Sequence, residues 1–282
     1  TSLNVAPAAL TSGMLGFVET FGATVASFLV PSAVGLSIVW VAARYLRPRY
    51  LAAFGLGLYL WFFSDTIGDA NLLGANEGFT GGVFHVALWV AFAAGLLFML
   101  TADRDVFSPG GEGSRLGFGI PLLVALAVGI HGFGEGAAIG ATAVSTPGGD
   151  LVAAFGGVTA GAAFVLHKAL EPMMVGVAYW IYARDHARDP GGRLRDMVIL
   201  ALVFTLPGII GGGSAYYIVQ AFPDADFTYV FALGLGTSIY AALRLARPLF
   251  DGPVGDRYEA LRVGGMLMLG FTCLYLAALL HS

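Results

Sequence analysis

Long apolar runs separated by short polar links repeat along the whole chain. Runs of about 20 residues, enough to cross a bilayer, fall at roughly 16–43, 51–70, 82–101, 117–144, 151–182, 196–221, 227–247 and 259–280. They predict an all-α integral membrane protein with eight transmembrane helices. The longest links, near 101–116 and 183–195, are rich in Gly, Pro and charge. Residues 1–282 therefore read as a single transmembrane domain without a soluble partner domain. Composition changes nothing in that picture: 57% of residues are hydrophobic and only 11% charged. The lone cysteine, Cys273, lies in the last run, which leaves packing as its role and excludes an intrachain disulfide. The opening Thr1-Ser2-Leu3-Asn4 lacks a basic n-region, so no cleavable signal peptide is expected.

Charge placement orients the runs. Arg44, Arg47 and Arg49 follow run 1, and Arg104 and Arg115 separate runs 3 and 4. Arg184, Arg188, Arg193 and Arg195 separate runs 5 and 6, while Arg244, Arg247, Arg257 and Arg262 surround the link between runs 7 and 8. If eight spans alternate, all thirteen arginines share one side. The positive-inside rule makes that side cytoplasmic and puts both termini outside. The expected location is the cell membrane, as a multi-pass protein. The opposite regions carry Glu19, Asp65, Asp69, Glu77, Asp150, Asp224 and Asp226 with no Lys or Arg. Such a one-signed surface gathers cations, although each acid also serves simply to solvate a loop end.

Chemistry concentrates in the two central runs. His131 and Glu135 stand four residues apart in run 4, and His167 and Glu171 repeat that spacing in run 5. Residues i and i+4 share a helix face, so each run presents an imidazole beside a carboxylate at a depth where ionisable groups are costly. Neutral imidazoles and anionic oxygens suit a divalent transition metal, with Zn first and Fe, Mn, Co or Cd also accommodated. The expected metal ligands are His131, Glu135, His167 and Glu171. Lys168, the only lysine, adjoins them as an electrostatic partner. Asp65, Asp69, Glu77 and His85 line the expected approach from outside. A lone buried His is usually a packing residue, but two matched pairs on consecutive spans are hard to explain that way.

Backbone punctuation surrounds these pairs. Five glycines, Gly129, Gly132, Gly134, Gly136 and Gly140, strip run 4 of side chains and invite close helix contact. Pro172 predicts a kink in run 5, and Pro207-Gly208 followed by Gly211-Gly212-Gly213 predicts a break in run 6. Runs 2 and 7 share Phe54-Gly-Leu-Gly57 and Leu233-Gly-Leu-Gly236 and stand symmetrically about the central pair. That placement suggests an inverted 3+2+3 arrangement, with a binding site near the midplane.

With those residues in view, the chain resembles a divergent member of the ZIP family of divalent metal transporters over essentially all eight runs. The family's fourth-span motif, His-Asn-x-x-Glu/Asp-Gly, is kept at His131, Glu135 and Gly136; its fifth-span motif is kept at His167, Lys168 and Glu171. Run 2, through Asp65 and Asp69, is also similar to the family's second span. Gly132 replaces a motif Asn, Leu170 replaces a motif Pro, and Leu206-Pro207 replaces a Glu-Pro pair. Those departures remove ligands of a second metal position found in two-metal members. The resemblance thus implies transport toward the cytoplasm through one site, with the metal ion as substrate and the ammonium of Lys168 standing in for a second cation. The partners implied are the lipid bilayer and divalent ions; the sequence leaves room for a homodimer and offers nothing for nucleic acid. No ATP-binding motif is present and no enzymatic activity is expected. Competing readings are a non-transporting structural subunit of a membrane complex and an intramembrane metal-dependent hydrolase using Lys168 or Ser214.

Overall fold

The computed structural model describes residues 16–69, 82–107, 117–146, 150–184, 189–223, 225–250 and 257–279. The side chains of residues 69, 82–85 and 151 also lie outside the description. Among the described residues the regular structure is helical: α1 (Phe17–Ala42), α2 (Pro48–Asp69), α3 (Gly82–Ala102), α4 (Gly119–Ser145), the one-turn α5 (Leu151–Ala154), α6 (Val158–Tyr182), α7 (Pro190–Ala221), α8 (Thr228–Phe250) and α9 (Arg257–Leu279). A 3-10 turn, Arg104–Phe107, follows α3.

Six helices are long and apolar enough to cross a membrane: α1, α2, α4, α7, α8 and α9. The described apolar part of α3, Val86–Ala102, is shorter. α6 has 25 residues, but His167, Lys168, Glu171 and Pro172 dilute its apolar character. Large apolar side chains such as Val30, Ile38, Trp89, Ile210, Leu261 and Met268 are exposed on the outer faces. In water such a surface would be a liability; against lipid it is the expected solvent boundary.

Three boundaries differ from those expected. Run 5 is interrupted: Gly156 and Gly157 adopt φ of 77° and 102°, a region that favours glycine, and they separate α5 from α6. α7 begins at Pro190 rather than near 196, because Asp189 accepts a hydrogen bond from the Gly192 N–H and Pro190 fits the first helical turn. The expected break in α7 is absent, for the helix continues through Pro207 and Gly211–Gly213. Packing accounts for this: a Cβ on Gly211 would strike the Phe133 carbonyl of α4, and one on Gly136 of α4 would strike the Gly208 carbonyl. These glycines make room for a neighbouring helix instead of ending their own. α6 likewise runs through Pro172, against which Gly35 of α1 sits.

Helix pairing follows a repeated plan. α4 packs most extensively on α7, α2 on α9, and α3 on α8, with α1 against α6 and α7. The α2–α9 seam holds reciprocal glycines, Gly57 against Leu267 and Gly270 against Phe54. The α3–α8 seam has the same device, Gly95 against Leu233 and Gly236 against Phe92. Gly55 and Gly234, the other glycines of the shared sequence pattern, face the site helices: Gly55 meets Val177 of α6 and Gly234 meets His131 of α4. Overpacking such a seam costs about 1–3 kcal/mol. Gly57→Ala should accordingly lower thermal stability in detergent. Gly264→Ala on α9, where nothing lies within 4 Å, should be neutral or stabilising; equal effects at the two positions would refute the seam.

A second polar cluster holds one end of the bundle. Asp103, at the end of α3, is fully buried and accepts from Tyr240 Oη at 2.6 Å and from Arg244 Nε at 2.8 Å, with an ion pair to Arg244 Nη2. Its other oxygen accepts from the Asp105 N–H and starts the 3-10 turn. Arg244 is thus a core residue of α8 rather than a link residue, 1% exposed. At the same end Arg49 donates to the Leu249 carbonyl and pairs with Glu259, and Arg247 donates to the Asp105 carbonyl.

Candidate metal site

α4 and α6 each place an imidazole one helical turn before a carboxylate, and both pairs point into the bundle. His167 Nε2 lies 2.9 Å from Glu171 Oε1, and His131 Nε2 lies 3.8 Å from Glu135 Oε1. His131, His167 and Glu171 are buried, while the Glu135 side chain keeps 13% exposure and forms the site's narrow opening. His131, Glu135 and Glu171 each offer one ligand atom within 4.8 Å of the others. His167 stands outside that mutual group and joins it through Glu171.

Lys168 completes the cluster. Its Nζ pairs with Glu135 Oε2 and donates to Glu171 Oε2 at 2.7 Å, so one buried ammonium joins carboxylates from two helices. Each carboxylate therefore divides its oxygens, Oε2 toward the lysine and Oε1 toward its own histidine. With neutral imidazoles the cluster carries two negative charges and one positive. Two buried acceptors are left over: His131 Nδ1 and Glu171 Oε1 lack a hydrogen-bond partner. The short His167–Glu171 approach does not align as a hydrogen bond. Unpaired polar atoms in a dry site are costly, and a cation is the group that would satisfy both.

The walls are aromatic and came from no sequence signal. Phe62 of α2 and Phe231 of α8 meet the His131 ring edge-on at centroid distances of 4.7 and 5.3 Å. Phe28 of α1 lies beside Lys168, with Nζ 5.1 Å from the ring centroid. Gly132 and Gly208 make room for Phe28, since a Cβ on either would crowd its ring. Gly132 holds the place of the expected motif Asn, so the space of that side chain borders an aromatic ring.

The expected approach residues divide. Asp65 of α2 is half-buried and close enough to interact electrostatically with His131, Glu135, His167 and Glu171. Glu77 and the side chains of Asp69 and His85 lie outside the described residues. Three other outward acids have local work. Glu19 accepts from the Gly16 N–H, Asp150 from the Val152 N–H and Asp226 from the Thr228 N–H, each near the start of a helix. Ser214 donates to the Gly211 carbonyl of its own helix.

Comparison of the sequence with protein-family models and with curated proteins gives no match.

Proposed function

We propose that this chain is a membrane transporter of a divalent transition-metal cation, zinc first, carried toward the cytoplasm through a single site formed by His131, Glu135, His167 and Glu171. The observation that carries the reading is the buried His131–Glu135–Glu171 group with two acceptors left unpaired. Packing has no use for such a group, whereas a cation satisfies both acceptors and offsets the carboxylate charge. Mixed nitrogen and oxygen donors without thiolate suit an ion that must later leave. The aromatic walls from α1, α2 and α8 exclude water and strengthen electrostatic attraction.

The full topology belongs to the same proposal: eight spans, both termini outside and an inverted 3+2+3 plan. It is supported by the one-sided arginines and by the matching glycine seams of α2–α9 and α3–α8. Membership in the ZIP family is proposed on the kept residues His131, Glu135, Gly136, His167, Lys168 and Glu171. On this reading metal arrives past Asp65, is held between α4 and α6, and leaves inward when one helical block moves against the other. The chain acts as a carrier, not an enzyme, since Ser214 is engaged within α7 and Lys168 by both glutamates.

Purified protein in proteoliposomes should take up Zn2+ or Cd2+ above empty vesicles when tested with Zn, Cd, Fe, Mn and Co, and should retain metal on elemental analysis. Vesicles that pass none of the five, from protein that holds no metal, would end the proposal.

A further inference from the structure

The two glutamates are already shared with a cation that belongs to the protein. Lys168 is fully buried, and its Nζ contacts Oε2 of both Glu135 and Glu171. Only the Oε1 atoms remain turned toward the imidazoles. Resting on the metal-transport reading above, we infer that Lys168 is the affinity-setting residue of the site: a resident ammonium that restricts the metal to one oxygen of each carboxylate and repels it.

The charge balance carries the sign. Two carboxylates and one ammonium leave a single net negative charge, so a bound divalent ion brings the cluster to net positive. Like charges a few ångströms apart in a low-dielectric site interact far more strongly than in water. The repulsion acts on the loaded state and speeds release. The ammonium also keeps the two carboxylates from facing each other uncompensated in the empty state. Phe28, with its ring centroid 5.1 Å from Nζ, presents a face that favours a cation and gives Lys168 a third partner. The carrier is therefore built for turnover at the expense of tight binding.

Lys168→Met removes the charge and keeps an unbranched apolar stem. Calorimetric titration of the purified full chain with Zn2+ should show binding at least about tenfold tighter than wild type. In vesicles the same variant should show a lower KM and a lower kcat, because the metal leaves more slowly. Lys168→Arg retains the charge and should stay within about threefold of wild-type affinity; it serves as a second arm if the methionine variant does not fold. The chain has one lysine, so protein labelled with 15N-lysine gives a single Nζ resonance, which should shift as Zn2+ saturates the wild-type site.

Zinc binding by the wild type together with unchanged or weaker binding in folded Lys168→Met would overturn the inference and leave the transport reading intact. A stationary Nζ signal at saturating zinc would do the same, as would Lys168→Arg binding tenfold tighter. Binding by Lys168→Met alone would support it. Absence of zinc binding in the wild type and in both variants would overturn the inference and the transport reading together.

Discussion

A His131→Ala, His167→Ala double variant is expected to carry no divalent metal. Both imidazoles lie against the glutamate oxygens that Lys168 leaves open. Without them, Glu135, Glu171 and Lys168 form a closed ion cluster with too few strong donors to strip a divalent ion of its water. Losing even an outer hydrogen-bond partner of a metal ligand typically costs about 10–100-fold in affinity or activity. Losing two direct donors should therefore reduce Zn2+ uptake into proteoliposomes to the empty-vesicle rate, with no metal retained by the protein. Flux equal to wild type would refute the site. His131→Ala also empties the space between Phe62 and Phe231, so His131→Gln with His167→Gln provides a version that conserves volume. Monodisperse elution of either variant separates lost chemistry from lost fold.

The second large effect concerns stability. In Arg244→Met, Asp103 keeps Tyr240 and the Asp105 N–H but loses its only buried cation among the described residues. Removing one partner of a buried ion pair typically costs about 3–5 kcal/mol, because the other charge stays buried and uncompensated. Thermal or denaturant unfolding in detergent should show a loss of that size. Arg244→Met combined with Asp103→Leu should recover most of it, since an apolar replacement of both partners often breaks even. A single variant as stable as wild type would mean that water reaches Asp103.

The apolar runs located every long helix, because length and hydropathy are local properties that a bilayer reads directly. The same signal misplaced the start of α7, where Asp189 and Pro190 begin a helix within polar sequence. It also merged α5 with α6, because Gly156 and Gly157 looked like two more glycines in a glycine-rich membrane chain. Pro207 and the Gly211–Gly213 run read as a break, although their purpose emerges only when α4 lies beside them. The histidine–glutamate pairs were legible because i, i+4 spacing fixes a shared face before any tertiary contact forms. Lys168 reaching Glu171 follows from i, i+3 spacing, whereas its contact with Glu135 depends on how α4 and α6 meet. Nothing in the spacing of Phe28, Phe62 or Phe231 marked them among 21 phenylalanines. Asp103 and Arg244 were equally hidden, being far apart in sequence and close only through the α3–α8 seam. The acid-rich outer side was correctly noticed, but Glu19, Asp150 and Asp226 serve helix ends as much as any passing cation.

The setting of His131 has a chemical corollary. Its ring is fixed by shape, between the edges of Phe62 and Phe231, with Gly234 of α8 pressed to within 2.6 Å of its Cα as measured from an ideal Cβ. No hydrogen bond to Nδ1 contributes to that fixation. Metal-bound histidines usually donate their second ring nitrogen to a neighbour, which selects one tautomer in advance. Here no neighbour selects. The neutral imidazole is free to carry its proton on either nitrogen, so the ring stays in one place while the choice of donor atom follows the ion.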